Sequence, residues 1–422
     1  MAQPLSRPRS LLPIYLLSAA GFTILTTEFI IIGLLPSMAR DLRVSVAQAG
    51  LLVTLFAVTV AVVGPALTAY ASRFERKALF IATLGLFAFS NVLAALAPNI
   101  GVMALARFVP ALGLPVFWAL ASETGVRIMG PEQAGKAVSL VGTGVVIATI
   151  FGIPIGTLIS DRFGWRTAFW VIAALAVAKA VLLFFFMPRI RADQERVSVG
   201  RQLLILRQPR MLGHAGLSLL VFAGMFTAYT YLADILEKLG GFSGAAVGWI
   251  LMGFGGVGLL GNWLGGWAVD RHPLRASVGF CVPLAASLLL LVPSLHSPAG
   301  LILVLTIWGV CQAALFTASH ARVMKAAGGT PALGASLNIS GANFGIALGA
   351  FLGSRVLDTF GLEKVSVAAV LVVAASIVAA VAALLVPTSS DPRNDPAARS
   401  QDGHASMPPC RHDQRPCHLE AS

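Results

Sequence analysis

The sequence predicts an all-α integral membrane protein: twelve transmembrane helices in two pseudo-symmetric six-helix bundles. Three observations carry that expectation: twelve apolar stretches of spanning length, a half-chain repeat among them, and a basic stretch between the two sets of six. Of the 422 residues, 57% are hydrophobic and only 11% charged, outside the composition of ordinary soluble domains.

Read in windows of about 19 residues, the apolar stretches cover 11–36, 47–70, 78–97, 99–122, 136–158 and 167–188, then 212–235, 245–268, 275–295, 299–320, 332–354 and 365–387. These are spans 1 to 12. The first is too long for the core of a signal peptide and is followed by no A-x-A-like cleavage site, so it reads as a retained span. The chain then divides into an N-terminal tail (1–10), an N-terminal bundle (11–188), a basic linker (189–211), a C-terminal bundle (212–387) and a tail (388–422) that reads as disordered. Six arginines in residues 189–210 suit a linker lying partly as an amphipathic helix on the membrane surface.

The net charge of +12 follows topology. With the N-terminus cytoplasmic, 21 of the 30 Lys and Arg fall in the N-tail, the even-numbered loops and the C-tail, seven fall in the odd-numbered loops, and Arg107 and Lys179 fall inside spans. That is the positive-inside pattern, with both termini cytoplasmic in a cell inner (plasma) membrane. It leaves no compact basic and aromatic surface for nucleic acid. Lys179 is expected to snorkel toward the cytoplasm. Cys281 and Cys311 sit in apolar spans as small hydrophobes. Cys410 and Cys417 lie beside His404, His412 and His418 in the tail without standard metal-ligand spacing. No G-x-x-x-x-G-K-[ST] loop occurs, and no cofactor is expected.

The two halves repeat. A shift of 197 residues superposes Ser139-Leu140 on Ser336-Leu337, Gly144 on Gly341, Gly152 on Gly349, Gly156 on Gly353, Asp161 on Asp358 and Phe163-Gly164 on Phe360-Gly361. A shift of 198 puts Ser45 on Ser243, Gly50 on Gly248 and Arg73 on Arg271. Parallel six-helix repeats imply two bundles that rock about a site near the bilayer midplane. Gly144, Ala148, Gly152 and Gly156 in span 5, and Gly341, Gly345, Gly349 and Gly353 in span 11, form smooth stripes suited to close helix approach. Their recurrence in both halves is read as a shared sliding interface that stays in contact as the bundles move.

The stretches "TTEF…GLLP" in span 1, "GWR" at 164–166 and "TYLADILEKLGGFS" at 230–243 resemble the drug:proton antiporter branch of the major facilitator superfamily, over residues 11–387. The resemblance implies the major facilitator fold. Its loop 2–3 signature, G-x-x-x-D-R-x-G-R-[RK], is degraded at Thr68 to Lys77, where both glycines and the acid are gone and Arg73 and Arg76 remain. It is better kept as Gly266-Trp-Ala-Val-Asp270-Arg271. By resemblance these residues gate the cytoplasmic side, chiefly through Asp270 and Arg271. The antiporter signature of span 5 is similar to Gly152-Ile153-Pro154-Ile155-Gly156-Thr157, with the proline displaced by one, and favours exchange. "RFVPALGLP" in span 4 resembles the family's conserved-arginine motif at Arg107.

A carboxylate or guanidinium at mid-bilayer costs roughly 2.5–3.5 kcal/mol on insertion scales. Counted from the predicted span ends, Glu28 and Arg107 share one layer about 12 Å deep, and Glu28 is the only acid placed deep in a span. Burial favours its neutral form and a nearby guanidinium its charged form, so a movement that alters either moves a proton. Glu28 is therefore the expected proton carrier and Arg107 the group that sets its affinity, against the alternative of a static ion pair. One proton exchanged for one neutral solute gains about 2.3 kcal/mol per 100 mV, roughly fifty-fold in concentration.

Cavity candidates are Thr26, Thr27, Phe117, Trp118, Phe226, Tyr229, Gln312, Asn338 and Asn343, a set suited to a small, mostly neutral solute such as a drug, nucleoside or sugar. The expected partners are that solute, protons and the lipid bilayer, with a monomer as the working unit. A proton symporter or facilitator for uptake shares the architecture, and a non-transporting sensor is a further alternative. A membrane enzyme would need nucleophiles, bases or metal ligands clustered at one depth, and the seven histidines are scattered.

Overall fold

The computed structural model describes residues 11–190, 209–326 and 331–385. The N-terminal tail, most of the linker and the tail with its Cys and His residues lie outside them. Eleven helices are long and apolar enough to cross a membrane among the described residues. The helix Pro331–Phe360 makes the twelfth span; Asn338, Asn343 and its glycines leave it less apolar than the rest.

Span 1 runs Leu12–Leu42, six residues past the end expected for it, because Pro36 does not stop the helix and the chain turns only at Arg43, with φ 56°. Span 2 is Val46–Ala71, span 3 Arg76–Ala95 and span 4 Ile100–Met129. Span 5 runs Ala134–Ile147, through a π turn at Ala148–Gly152, into Ile153–Phe163, and span 6 is Trp165–Phe186. Span 7 comprises Pro209–Tyr229 and, after a break at Thr230-Tyr231, Leu232–Lys238. Spans 8, 9, 10 and 12 are Gly244–Arg271, Pro273–Ser294, Pro298–Ala326 and Glu363–Leu385.

The half-chain repeat has a physical basis at each matching position. Gly164 and Gly361 end the last turns of spans 5 and 11 with φ of 84° and 88°, a region that L side chains rarely adopt. Ser45 and Ser243 are both N-caps, accepting from the backbone N–H of Gln48 (3.0 Å) and Ala246 (3.3 Å). Each such cap contributes about 1 kcal/mol.

Packing repeats as well. Span 1 lies against span 5 as span 7 lies against span 11, and span 2 against span 4 as span 8 against span 10. The bundles meet through spans 2 and 11 and, symmetrically, spans 5 and 8. The two glycine stripes face elsewhere than a sliding interface. A Cβ on Gly144 would strike the Ser18 carbonyl of span 1, and one on Gly349 the Ala223 carbonyl of span 7. Gly152 and Gly156 pack on Thr26 and Ile30, and Gly345 and Gly353 on span 7, so each stripe locks helices within its own bundle. Contact across the seam uses other glycines: Gly50 against Tyr231, Gly248 against Leu158 and Gly255 against Thr149 and Ile150.

We call the side on which span 1 begins, at Leu12, proximal and the side on which it ends, at Leu42, distal. Among the described residues, every hydrogen bond or ion pair across the seam lies in the distal half or close to mid-span: Arg40 to Glu237 (3.0 Å), Ser354 Oγ donating to the Ala47 carbonyl (3.0 Å) and Thr54 Oγ1 donating to the Ala347 carbonyl (3.3 Å). Proximal pairs stay within one bundle.

Candidate functional site

Span 1 is almost wholly enclosed by its neighbours, and Glu28 and Arg107 are 8% and 1% exposed. Arg107 reaches from span 4 to span 1 and donates to the carbonyls of Thr27 (2.5 Å) and Glu28 (2.6 Å), while its guanidinium lies 4.5 Å from the Phe56 ring centroid. The arginine thus holds the backbone of the turn that carries the carboxylate. The Glu28 carboxylate itself has no hydrogen bond or ion pair within 4 Å among the described residues. A closed carboxylate–guanidinium pair is therefore not the geometry adopted. Asn91 of span 3 completes the shell, donating to Thr27 Oγ1 (3.1 Å) and the Phe87 carbonyl (2.7 Å). Asn91 and Phe56 are absent from the sequence-derived candidates; a lone asparagine in an apolar span was the available signal for one of them.

The cavity candidates separate. Thr26 is buried against Gly152, and Phe117 is fully buried against Phe80 (5.7 Å) and Trp118 (5.4 Å) in the N bundle's own core. Trp118 packs on Gly21. In the C bundle, Phe226 touches Tyr229 (5.6 Å), Tyr229 stacks on Phe254 (5.5 Å), and Phe254 meets Trp308 edge-on (5.5 Å). Phe29, the residue after Glu28, joins this cluster across the seam, 5.7 Å from Phe226. Gln312 accepts from Trp308 Nε1 (2.8 Å), Asn338 Nδ2 lies 3.3 Å from His320 Nδ1, and Asn343 donates to the Ile339 carbonyl (3.0 Å). The aromatic pattern of spans 8 and 10 held Phe254 and Trp308, which sequence reading passed over because core and cavity aromatics look alike in a chain this apolar.

The proximal charges form two separate clusters. Arg76 is buried and grips Glu123 of span 4 with two 3.1 Å bonds, donating also to the Ser72 carbonyl (2.8 Å); Arg127 joins Glu123 at 2.7 Å. Arg76 of the degraded first signature thus has a carboxylate partner, Glu123, from span 4. Asp270 pairs with Lys325 of span 10 (2.8 Å), Arg271 stacks on Trp267 (3.8 Å) and Arg73 on Tyr70 (4.6 Å). Lys179 does not snorkel free: its Nζ lies 5.5 Å over the Phe22 ring of span 1. Asp234, near the distal end of span 7, is also fully buried and pairs with Lys238 at 3.0 Å.

Two bundles of repeated topology, joined distally, with an ionisable turn on the seam, define a membrane transporter of small solutes. The sequence profile of the Major Facilitator Superfamily matches residues 17–328 and 215–415. The chain is 33% identical over 352 residues to the uncharacterised MFS-type transporter YtbD of Bacillus subtilis (strain 168), covering 82% of this chain and 88% of that one. It is 33% identical over 346 residues to the inner membrane transport protein YdhP of Escherichia coli (strain K12), covering 82% and 89%. The crystal structure of the nucleoside transporter NupG superposes with a TM-score of 0.70 at 17% identity, over 88% of this chain and 98% of that one. The chain belongs to the major facilitator superfamily. It is a multi-pass membrane transporter and not an enzyme.

Proposed function

We propose that the protein exports a small, mostly neutral organic solute, drug-, nucleoside- or sugar-like, in exchange for protons by alternating access across the inner membrane, with both termini cytoplasmic. One observation carries this reading: the turn bearing Glu28 is held through its backbone by Arg107, its carboxylate is left unpaired, and its next residue, Phe29, touches the aromatic cluster of the other bundle. A proton on Glu28 and a solute against Phe226, Tyr229 and Trp308 then act on the same turn. In this reading Arg73, Arg76, Asp270 and Arg271 gate the cytoplasmic side, and the Gly152-Ile153-Pro154 segment beside the π turn of span 5 supports exchange over uptake.

The test uses everted membrane vesicles with an acid interior, offered amphenicol-type drugs, purine nucleosides and sugars. An antiporter accumulates its solute, whereas a symporter expels it, which separates the two directions. Gradient-driven accumulation that survives Glu28→Gln overturns the assignment of Glu28 as proton carrier.

A further inference from the structure

Among the described residues, three arginines are buried to 2% exposure or less, and they are satisfied unequally. Arg76 has a carboxylate and two carbonyls, and Arg107 two carbonyls, an aromatic face and Glu28 nearby. Arg322, on span 10, has neither carboxylate nor carbonyl. It donates to Ser218 Oγ of span 7 (3.0 Å) and approaches His214 Nδ1 at 3.5 Å, the outer limit for such a bond. Its Nε has no partner. A guanidinium carries five N–H donors, and leaving a buried charge without a counter-charge costs several kcal/mol. One turn away on the same helix face, the fully buried Ser319 hydroxyl is also without a partner.

The surroundings give this group of donors a shape. On the distal side the ring of Phe316, 41% exposed, meets Phe222 edge-on at 5.2 Å. On the proximal side Met211, Val323 and Leu337 form a small apolar plug. The donors thus lie between apolar walls, with an aromatic pair beside them.

We propose that Arg322, with Ser319 and Ser218, is an oxyanion site that takes a carboxylate or phosphate monoester attached to an apolar body lying against Phe222 and Phe316. Such a group reaches the site on an anionic lipid or on an anionic solute that enters the path between the bundles, distinct from the mostly neutral cargo of the proposed export. The second source rests on the proposed solute path; the binding itself is independent of Glu28 and of proton coupling.

The experiment measures thermal stability and binding of the purified full-length protein with benzoate, phenyl phosphate and neutral benzyl alcohol, alongside native mass spectrometry from nanodiscs of phosphatidylglycerol or phosphatidylcholine. Both anionic probes are expected to stabilise the wild type and benzyl alcohol not to. Arg322→Gln lowers anion affinity at least about tenfold, and Ser319→Ala, which keeps the charge, lowers it a few-fold, in line with charge-assisted hydrogen bonds. Arg322→Met is expected to unfold at a higher temperature than wild type without anion, and the difference closes when anion is added. A soluble-probe response identifies a solute source, and retention of phosphatidylglycerol that is lost in Arg322→Gln identifies lipid. Equal response of wild type and Ser319→Ala to every probe and both lipids, or a wild type stabilised by none, overturns the proposal even where Arg322→Gln does not fold. Loss of vesicle transport with anion binding intact would instead count against the export reading alone.

Discussion

The turn after span 5 and the turn after span 11 pass through glycines of the same φ, and the N-caps of spans 2 and 8 are the same residue in the same geometry. What the two bundles bury behind that shared backbone differs. The N bundle places a carboxylate and a carbonyl-bonded guanidinium on its seam, whereas the C bundle offers a cluster of aromatic rings and an arginine without a carboxylate. Under the proposed export mechanism, backbone symmetry would supply two bodies able to rock, and side-chain asymmetry would let one titrate while the other recognises. That mechanism needs the two to touch, and the rings of Phe29 and Phe226 lie 5.7 Å apart across the seam.

The largest expected effect falls on the side proposed to titrate. Glu28→Gln keeps the size of the side chain and removes its ionisation, so gradient-driven accumulation should fall to that of vesicles lacking the protein, while solute exchange without a gradient persists. A matching change in the aromatic cluster, Tyr229→Ala, should weaken solute binding and leave the coupling of the remaining flux to protons intact. If both variants lost the same function in the same way, the division of labour between the bundles would be wrong.

The next effect tests what the halves share. Gly144→Ala and Gly349→Ala each force a methyl group onto a backbone carbonyl of the first helix in their own bundle, and overpacking of this kind costs typically 1–3 kcal/mol. Gly142→Ala and Gly266→Ala, with nothing within 4 Å, serve as controls that should not lower thermal stability. Equal losses at Gly144 and Gly349 would confirm that each bundle is locked in the same way.

These stripes also mark how far the sequence could be read. Span number, the repeat and the matching glycines were legible because hydropathy, positive φ and close approach each demand particular residue types. The partner of each stripe was not, since a four-residue glycine spacing states that some helix comes close and not which one. Arg107 was legible from its cost in a span. Arg322 counted only as one more basic residue near a loop, because burial near a helix end depends on how the neighbouring helix packs. Glu123 was missed as the carboxylate partner of Arg76 because it comes from span 4, a pairing that only tertiary contact reveals.

A third comparison concerns the seam. Gly50 and Gly248 are repeat mates facing the opposite bundle, but Gly50 meets the hydroxyl end of the Tyr231 ring, which is held by the Ala350 carbonyl at 2.9 Å, whereas Gly248 meets the Cγ and Cδ2 of Leu158, a side chain with no hydrogen bond to fix it. The tyrosine tip is tethered, and the leucine has only packing to hold it. Gly50→Val should therefore disfavour the distally closed state by about 2 kcal/mol, roughly thirtyfold in population, and Gly248→Val by less. Distances between spin labels on the distal ends of the two bundles report that population, and an equal shift for both variants would show that Leu158 is as rigid as Tyr231.

The smallest effect belongs to the one ion pair across the seam among the described residues. Arg40 and Glu237 meet at 3.0 Å, but their side chains are 65% and 17% exposed, so water screens most of the attraction. Pairs of this kind contribute about 0.2–1 kcal/mol. Arg40→Gln should shift the same spin-label populations no more than about fivefold, and raising the salt concentration should move the wild type toward the variant and leave the variant where it is. The glycine contacts and the carbonyl bonds of Ser354 and Thr54 do not titrate or screen, so closure should survive high salt in both proteins. A wild type that opened distally in salt would place the weight of closure on charge, and the packing at Gly50 and Gly248 would then be a consequence of closure instead of its cause.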